Sequence, residues 1–287
     1  MEDKTIEQVK NEIVNKRIKL VKLKEECAEE YKRVKDLAQA ISTTECQLLE
    51  LENNFVLLLD KSSKNFKDEA VKLADQLKKV VEPQKPVDKL TILFLAANPK
   101  ETQKLALDNE ARSIGEAIRA SANRDNMEFF TRWAVRSLDI LQAINETEPE
   151  IIHFSGHGSE QGELAMEDEH GDMQLVSKEA IAAAISSSTE KTRLIFFNAC
   201  FSEAEAQAVV ENIEAAVGMR AAIGDEAAQV FAAQFYSAIG FGKNLQKAFN
   251  QAKAALLLKG IPEDNTPVLY VRKALAAEDI VMVVSKA

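Results

Sequence analysis

From Leu90 onward, short and nearly continuous apolar runs alternate with stretches of helical periodicity. That alternation constrains the fold more than any other feature of the chain. The runs fall at 90–96 (LTILFLA), 127–134, 150–155, 193–198, 214–219 and 267–272. Helical patterns lie between them at about 108–122, 138–145, 178–186, 203–212, 225–238 and 244–257. A strand with one face in water alternates apolar and polar residues, whereas a strand buried on both faces is apolar throughout. The pattern therefore predicts an α/β fold, a mainly parallel sheet flanked by helices on both faces. One segment departs from it. Residues 159–176 are punctuated by Gly162, His170 and Gly171, which predicts a β-hairpin insert rather than a helix.

The first 82 residues have a different texture. They contain neither Gly nor Pro, and steps of seven from Ile6 reach Ile13, Leu20, Cys27, Val34, Ile41, Leu48 and Phe55, all apolar. A companion seam at Val9, Leu23, Leu37, Leu51 and Leu58 is interrupted by Lys16, Glu30 and Thr44. A sustained seven-residue period is the mark of a coiled coil. Ser42-Thr43-Thr44-Glu45 also reads as a capping box, so a helical hairpin turning near residue 42 competes with one long helix. A further helix is expected over roughly 66–81. Pro83 and Pro86 then end helicity. The expected organisation is a helical coiled-coil region at 1–82, a linker at 83–88 and an α/β domain at 89–287. The seam points to self-association or to a partner bound through the N-terminal helices.

Several functions are disfavoured. A formal net charge of −10 opposes general nucleic-acid binding. Cysteines at 27, 46 and 200 fit neither a disulfide framework nor a CxxC zinc site. No run nears the 18 or so apolar residues of a membrane span, and the N-terminus has no apolar signal-peptide core. A cytoplasmic location is expected. Neither GxGxxG nor GxxxxGK[ST] occurs, so no nucleotide is implied, and no cofactor or metal is expected.

In an open parallel sheet, functional residues gather beyond the carboxyl ends of the strands. The run at 150–155 leads into Gly156-His157-Gly158-Ser159, and the run at 193–198 into Ala199-Cys200-Phe201-Ser202. If those strands are neighbours, His157 and Cys200 meet at the sheet's rim. An imidazole beside a thiol makes it a strong nucleophile. The backbone N–H groups of Gly158 and Cys200 are candidates for holding an oxyanion. Ser202 and Glu205 have capping-box spacing for the helix that follows. His153 lies inside its strand and reads as structural, and His170 as a turn residue.

The stretch IIHFSGHGSEQGELAMEDEHGD followed by LIFFNACFSEAEAQAV resembles the CHAT branch of the caspase-like (clan CD) cysteine peptidases. Supporting matches are ILFLAANPKET, LDNEARSI, AVRSLDILQAI, the stretch from Val217 to Ala252, and IPEDNTPVLY. The resemblance covers roughly residues 88–273 and leaves the heptad region outside. It implies a caspase-like fold, a His157–Cys200 dyad that cleaves protein substrates, and activation by a partner in bacterial stress, defence or cell-death signalling. Through the related enzyme separase it also implies that Asp225 lines the S1 pocket and receives a basic side chain. Asp225 is equally well placed as a helix N-cap. The alternative from another class is a coiled-coil interaction scaffold with a catalytically silent caspase-like domain, against which the intact dyad argues.

Overall fold

The computed structural model describes residues 82–284, apart from 160 and 189. The heptad seam and the capping box at Ser42 lie outside the described residues. In chain order the first elements are β1 (Leu90–Ala96), α1 (Leu107–Arg119), β2 (Met127–Arg132), α2 (Asp139–Thr147) and β3 (Ile151–Ser155). Next come β4 (His157–Gly158), β5 (Glu163–Glu167), β6 (Met173–Ser177), α3 (Lys178–Ser188) and β7 (Leu194–Asn198). The chain continues through α4 (Glu203–Val209), β8 (Ala215–Met219), α5 (Asp225–Gly240), α6 (Leu245–Leu258) and β9 (Pro267–Val271).

Six strands form one sheet in the order β2-β1-β3-β7-β8-β9. All neighbours run parallel except β9, which is antiparallel to β8. The apolar runs have the cause expected of them. Leu90, Ile92 and Phe94 join α1, α5 and α6 in one core, while Leu93 and Leu95 join residues of α2, α3 and α4 in a second. Both faces of the sheet are thus covered, and every residue of β1 and β3 is buried except the half-buried Thr91. The expected hairpin is a separate antiparallel sheet, β4-β5-β6. β2 stops two residues short of the expected boundary. Trp133 is half exposed and Ala134 has φ +52°, which turns the chain out of the sheet.

At the amino end of β7, Arg193 and Glu214 form a fully buried ion pair at 2.9 Å. Arg193 also donates to the carbonyls of Gln84, Lys85 and Val281 at 2.7–3.2 Å. The Gln84 N–H donates to Glu214, and Val87 bridges to Val283. The segment before β1 is thereby tied to the base of the sheet. Arginine suits this role because its planar fork serves several acceptors at once. Among the described residues no helix is long and apolar enough to cross a membrane.

Candidate active site

β3 and β7 are direct neighbours, and their last residues, Ser155 and Asn198, pair across the ladder. Two residues further along each chain stand His157 and Cys200. Both line one cleft at the carboxyl rim of the sheet. Cys200 is partly exposed. The two loops touch closely. A Cβ on Gly158 would lie 2.1 Å from the Cys200 carbonyl oxygen, so only glycine fits there. Ser159 N–H donates to the Glu163 carbonyl. In the alternation of an antiparallel pair this places Gly158, opposite Leu164, in a non-hydrogen-bonded position, with its N–H directed away from β5. Phe201, directly after Cys200, is in the left-handed region at φ +57°, a strained conformation for a bulky side chain.

The proton on His157 is assigned by its partner. Nε2 lies 2.8 Å from the Gln103 carbonyl, which only accepts, so Nε2 carries the hydrogen and Nδ1 presents a lone pair. The same 99–106 loop reaches the opposite wall, where Ala106 N–H donates to Asp225 Oδ2 at 3.3 Å. Asp225 lines the cleft with His157 and Cys200. It is not the N-cap of α5. Gly224 occupies that position and no side chain caps the helix, because the Asp225 carboxylate is turned to the loop.

The capping box at Ser202 also fails to form. Ser202 precedes α4, but its hydroxyl donates to the Phe197 carbonyl and accepts from Met219 N–H. Gly218 makes this possible, because a Cβ there would lie 2.5 Å from the Ser202 carbonyl oxygen. Glu205 then turns inward instead of back to the cap. It is fully buried, and neither carboxylate oxygen has a hydrogen-bond partner, so burial pushes its carboxyl above the ordinary range.

Beneath the cleft lies a polar cluster that sequence reasoning missed. Glu110 of α1, only 3% exposed, lines the floor. Its Oε1 accepts from His153 Nε2 at 2.8 Å and Asn198 Nδ2 at 2.6 Å, and its Oε2 accepts from the Ser155 hydroxyl. Burial, with the Glu110 charge nearby, pushes the Tyr236 phenol well above its ordinary value. Tyr236 therefore stays protonated and donates to His153 Nδ1 at 3.1 Å, leaving Nε2–H to face Glu110. The His153 ring is held between Phe94 and Phe196, at centroid distances of 5.0 and 4.5 Å. A signal for Glu110 existed. It stands three residues after Leu107 and four before Ile114, on the buried stripe of an amphipathic helix. His170 lies in the turn between β5 and β6, where its N–H donates to Asp168.

A model of the CHAT domain matches residues 58–268. The chain belongs to the CHAT family. Curated CHAT relatives include a Roc-COR-CHAT protease from an unknown prokaryotic organism, 29% identical over 180 residues. That alignment covers 60% of this chain and 17% of the relative. A protein named "Probable protease" from Gillisia limnaea is 23% identical over 169 residues, covering 58% of this chain and 30% of that one. The chain thus spans less than a third of the length of either relative. Among solved structures it is similar to caspase-1 from Spodoptera frugiperda, with a TM-score of 0.44 and 10% identity, covering 66% of this chain and 94% of that one. It is also similar to a chain of the Saccharomyces cerevisiae separase–securin complex, with a TM-score of 0.43 and 13% identity, covering 70% of this chain and 13% of that one.

Proposed function

We propose that this CHAT chain is a cysteine endopeptidase with Cys200 as nucleophile and His157 as its acid–base partner. The observation that carries the reading is the opening of both residues onto one cleft from the paired ends of β3 and β7, with the His157 proton fixed on Nε2. The free lone pair on Nδ1 takes the Cys200 thiol proton as sulfur attacks the peptide carbonyl. The oxyanion is held by the Gly158 and Cys200 N–H groups. The tetrahedral intermediate collapses, His157 gives its proton to the departing amine, and the thioester left on Cys200 is hydrolysed by a water that His157 deprotonates.

In this reading Asp225 selects a basic residue at P1. It supports the assignment that Asp225 lines the same cleft and that no Lys or Arg does so among the described residues. An Arg or Lys side chain would take the carboxylate through a charge-assisted hydrogen bond, sharing it with the Ala106 N–H or displacing it. The heptad-bearing segment would recruit an activating partner or a second copy, in a bacterial stress, defence or cell-death circuit. The test is cleavage of a peptide library by wild type and by Cys200→Ala, followed by paired substrates that differ only at P1. Cleavage lost in Cys200→Ala, and a basic-to-neutral ratio that falls about tenfold in Asp225→Asn, are expected. Cleavage that persists in Cys200→Ala would reject the peptidase reading, and best cleavage after neutral or acidic residues would reject the role of Asp225.

A further inference from the structure

Parallel pairing between β3 and β7 ends at Ser155 and Asn198, and the reacting residues stand two positions beyond it on each strand. Beyond it the loops are joined by Gly156 N–H donating to the Asn198 carbonyl at 3.3 Å and by the packing of Gly158 on Cys200, and the ends they spring from need holding too. One side chain touches both strand ends. Glu110 accepts from Ser155 on β3 and from Asn198 on β7, and its helix is anchored in the core through Ile114 and Ile118. Its third partner, His153 Nε2, also lies on β3 and is oriented by Tyr236 from α5.

We propose that Glu110 is a positioning residue, a buried carboxylate that clamps the ends of β3 and β7 and so holds His157 in register with Cys200. The inference rests on the peptidase reading above. All three partners present donors, and an ionised carboxylate, which only accepts, matches all of them. A carboxamide of the same shape is neutral, so the ties to His153 and Asn198 lose their charge assistance and the Ser155 hydroxyl must turn round to accept from its NH₂. Because its oxygens are filled by three donors and it is 3% exposed, Glu110 acts through the strand ends and not on a substrate.

The test follows the rate at which iodoacetamide alkylates Cys200 in the full chain, read by mass spectrometry on the peptide carrying that residue, as a function of pH. A thiol paired with an imidazole reacts below the ordinary thiol range of about 8.5, and an unpaired one does not. Wild type is expected to keep its reactivity near about pH 6, and His157→Ala to lose it. Glu110→Gln is expected to lower the rate about tenfold or more near pH 6 and to leave it unchanged near about pH 10, where the thiolate forms unaided. Adding Glu110→Gln to His157→Ala should change nothing further, because both act on one pairing. A variant that is merely less stable would not move the pH profile of its folded molecules. Ser155→Ala and Asn198→Ala each remove one tie and should give the same shift in smaller measure. They carry the test if Glu110→Gln does not fold. A Glu110→Gln profile equal to wild type, or an equal loss in the His157→Ala background, overturns the proposal. A wild-type profile indifferent to His157 overturns the dyad itself, and the proposal with it.

Discussion

A buried charged group lies against each end of β7, and the two ends are built on different principles. At the amino end, Arg193 and Glu214 are paired at 2.9 Å, and the remaining arginine donors reach three backbone carbonyls. These contacts fasten the segments on either side of the domain to the base of the sheet. At the carboxyl end, Glu110 is also filled by donors, but its surroundings are not settled. Asn198 Oδ1 and both Glu205 oxygens are buried without partners, and Phe201 holds a strained backbone. Buried polar groups left unsatisfied are costly, and they cluster where function opposes stability. The base of the sheet secures the fold, and the rim keeps a cleft open.

The largest effect expected from breaking this contrast is at the base. Arg193→Met strands the Glu214 carboxylate in the core, and losing one member of a buried pair costs about 3–5 kcal/mol. For a domain of this size that lowers the melting temperature by roughly 10 °C. Circular dichroism melts measure it, and a drop of only a degree or two would remove the structural role given to the base. Gly158→Ala should act in the opposite way. Its Cβ would press on the Cys200 carbonyl and shift the loop, and misplacement of about 1 Å is enough to lose on the order of 100-fold in rate. Near-normal cleavage by Gly158→Ala would show that the two loops are not held in close register.

The smallest effect concerns Glu205. Burial raises its carboxyl above the ordinary glutamate value of 4.5, so the folded state binds more protons than the unfolded state above that pH. Stability should therefore be highest below that value and decline as pH rises, until the raised folded value is passed. Glu205→Gln removes the decline. The variant should melt above wild type at neutral pH, and the difference should vanish toward acid. A difference independent of pH would mean that Glu205 is not held protonated by its surroundings.

Much of this architecture is legible in the sequence because it depends on local pattern. Strands buried on both faces leave uninterrupted apolar runs, and Gly162 and Gly171, both at positive φ, mark the hairpin. Loops at the ends of β3 and β7 could be placed at one rim from the parallel topology alone. What stayed hidden depends on distant partners. Ser202 looked like a cap, yet its hydroxyl is taken by Phe197 and by Met219, seventeen residues away. Asp225 had the composition of a cap, but it is the first residue of the helix, and Gly224 before it holds the cap position. The role of Glu110 stayed hidden because its three donors come from strands at sequence separations of 43 to 88. His153 was recognisable as internal, but its stacking between Phe94 and Phe196 was not, since β1 and β7 flank β3 only in the folded sheet.

The most direct test of the central claim is a cleavage assay of four forms of this chain side by side: wild type, Cys200→Ala, His157→Ala and the double variant. If the two residues act as one unit, each single substitution removes cleavage about as completely as the double one. Melting temperatures should stay close to wild type in all four, since neither side chain belongs to the core. A double variant much slower than either single variant, or a single variant that still cleaves, would contradict the assignment of His157 and Cys200 as a dyad.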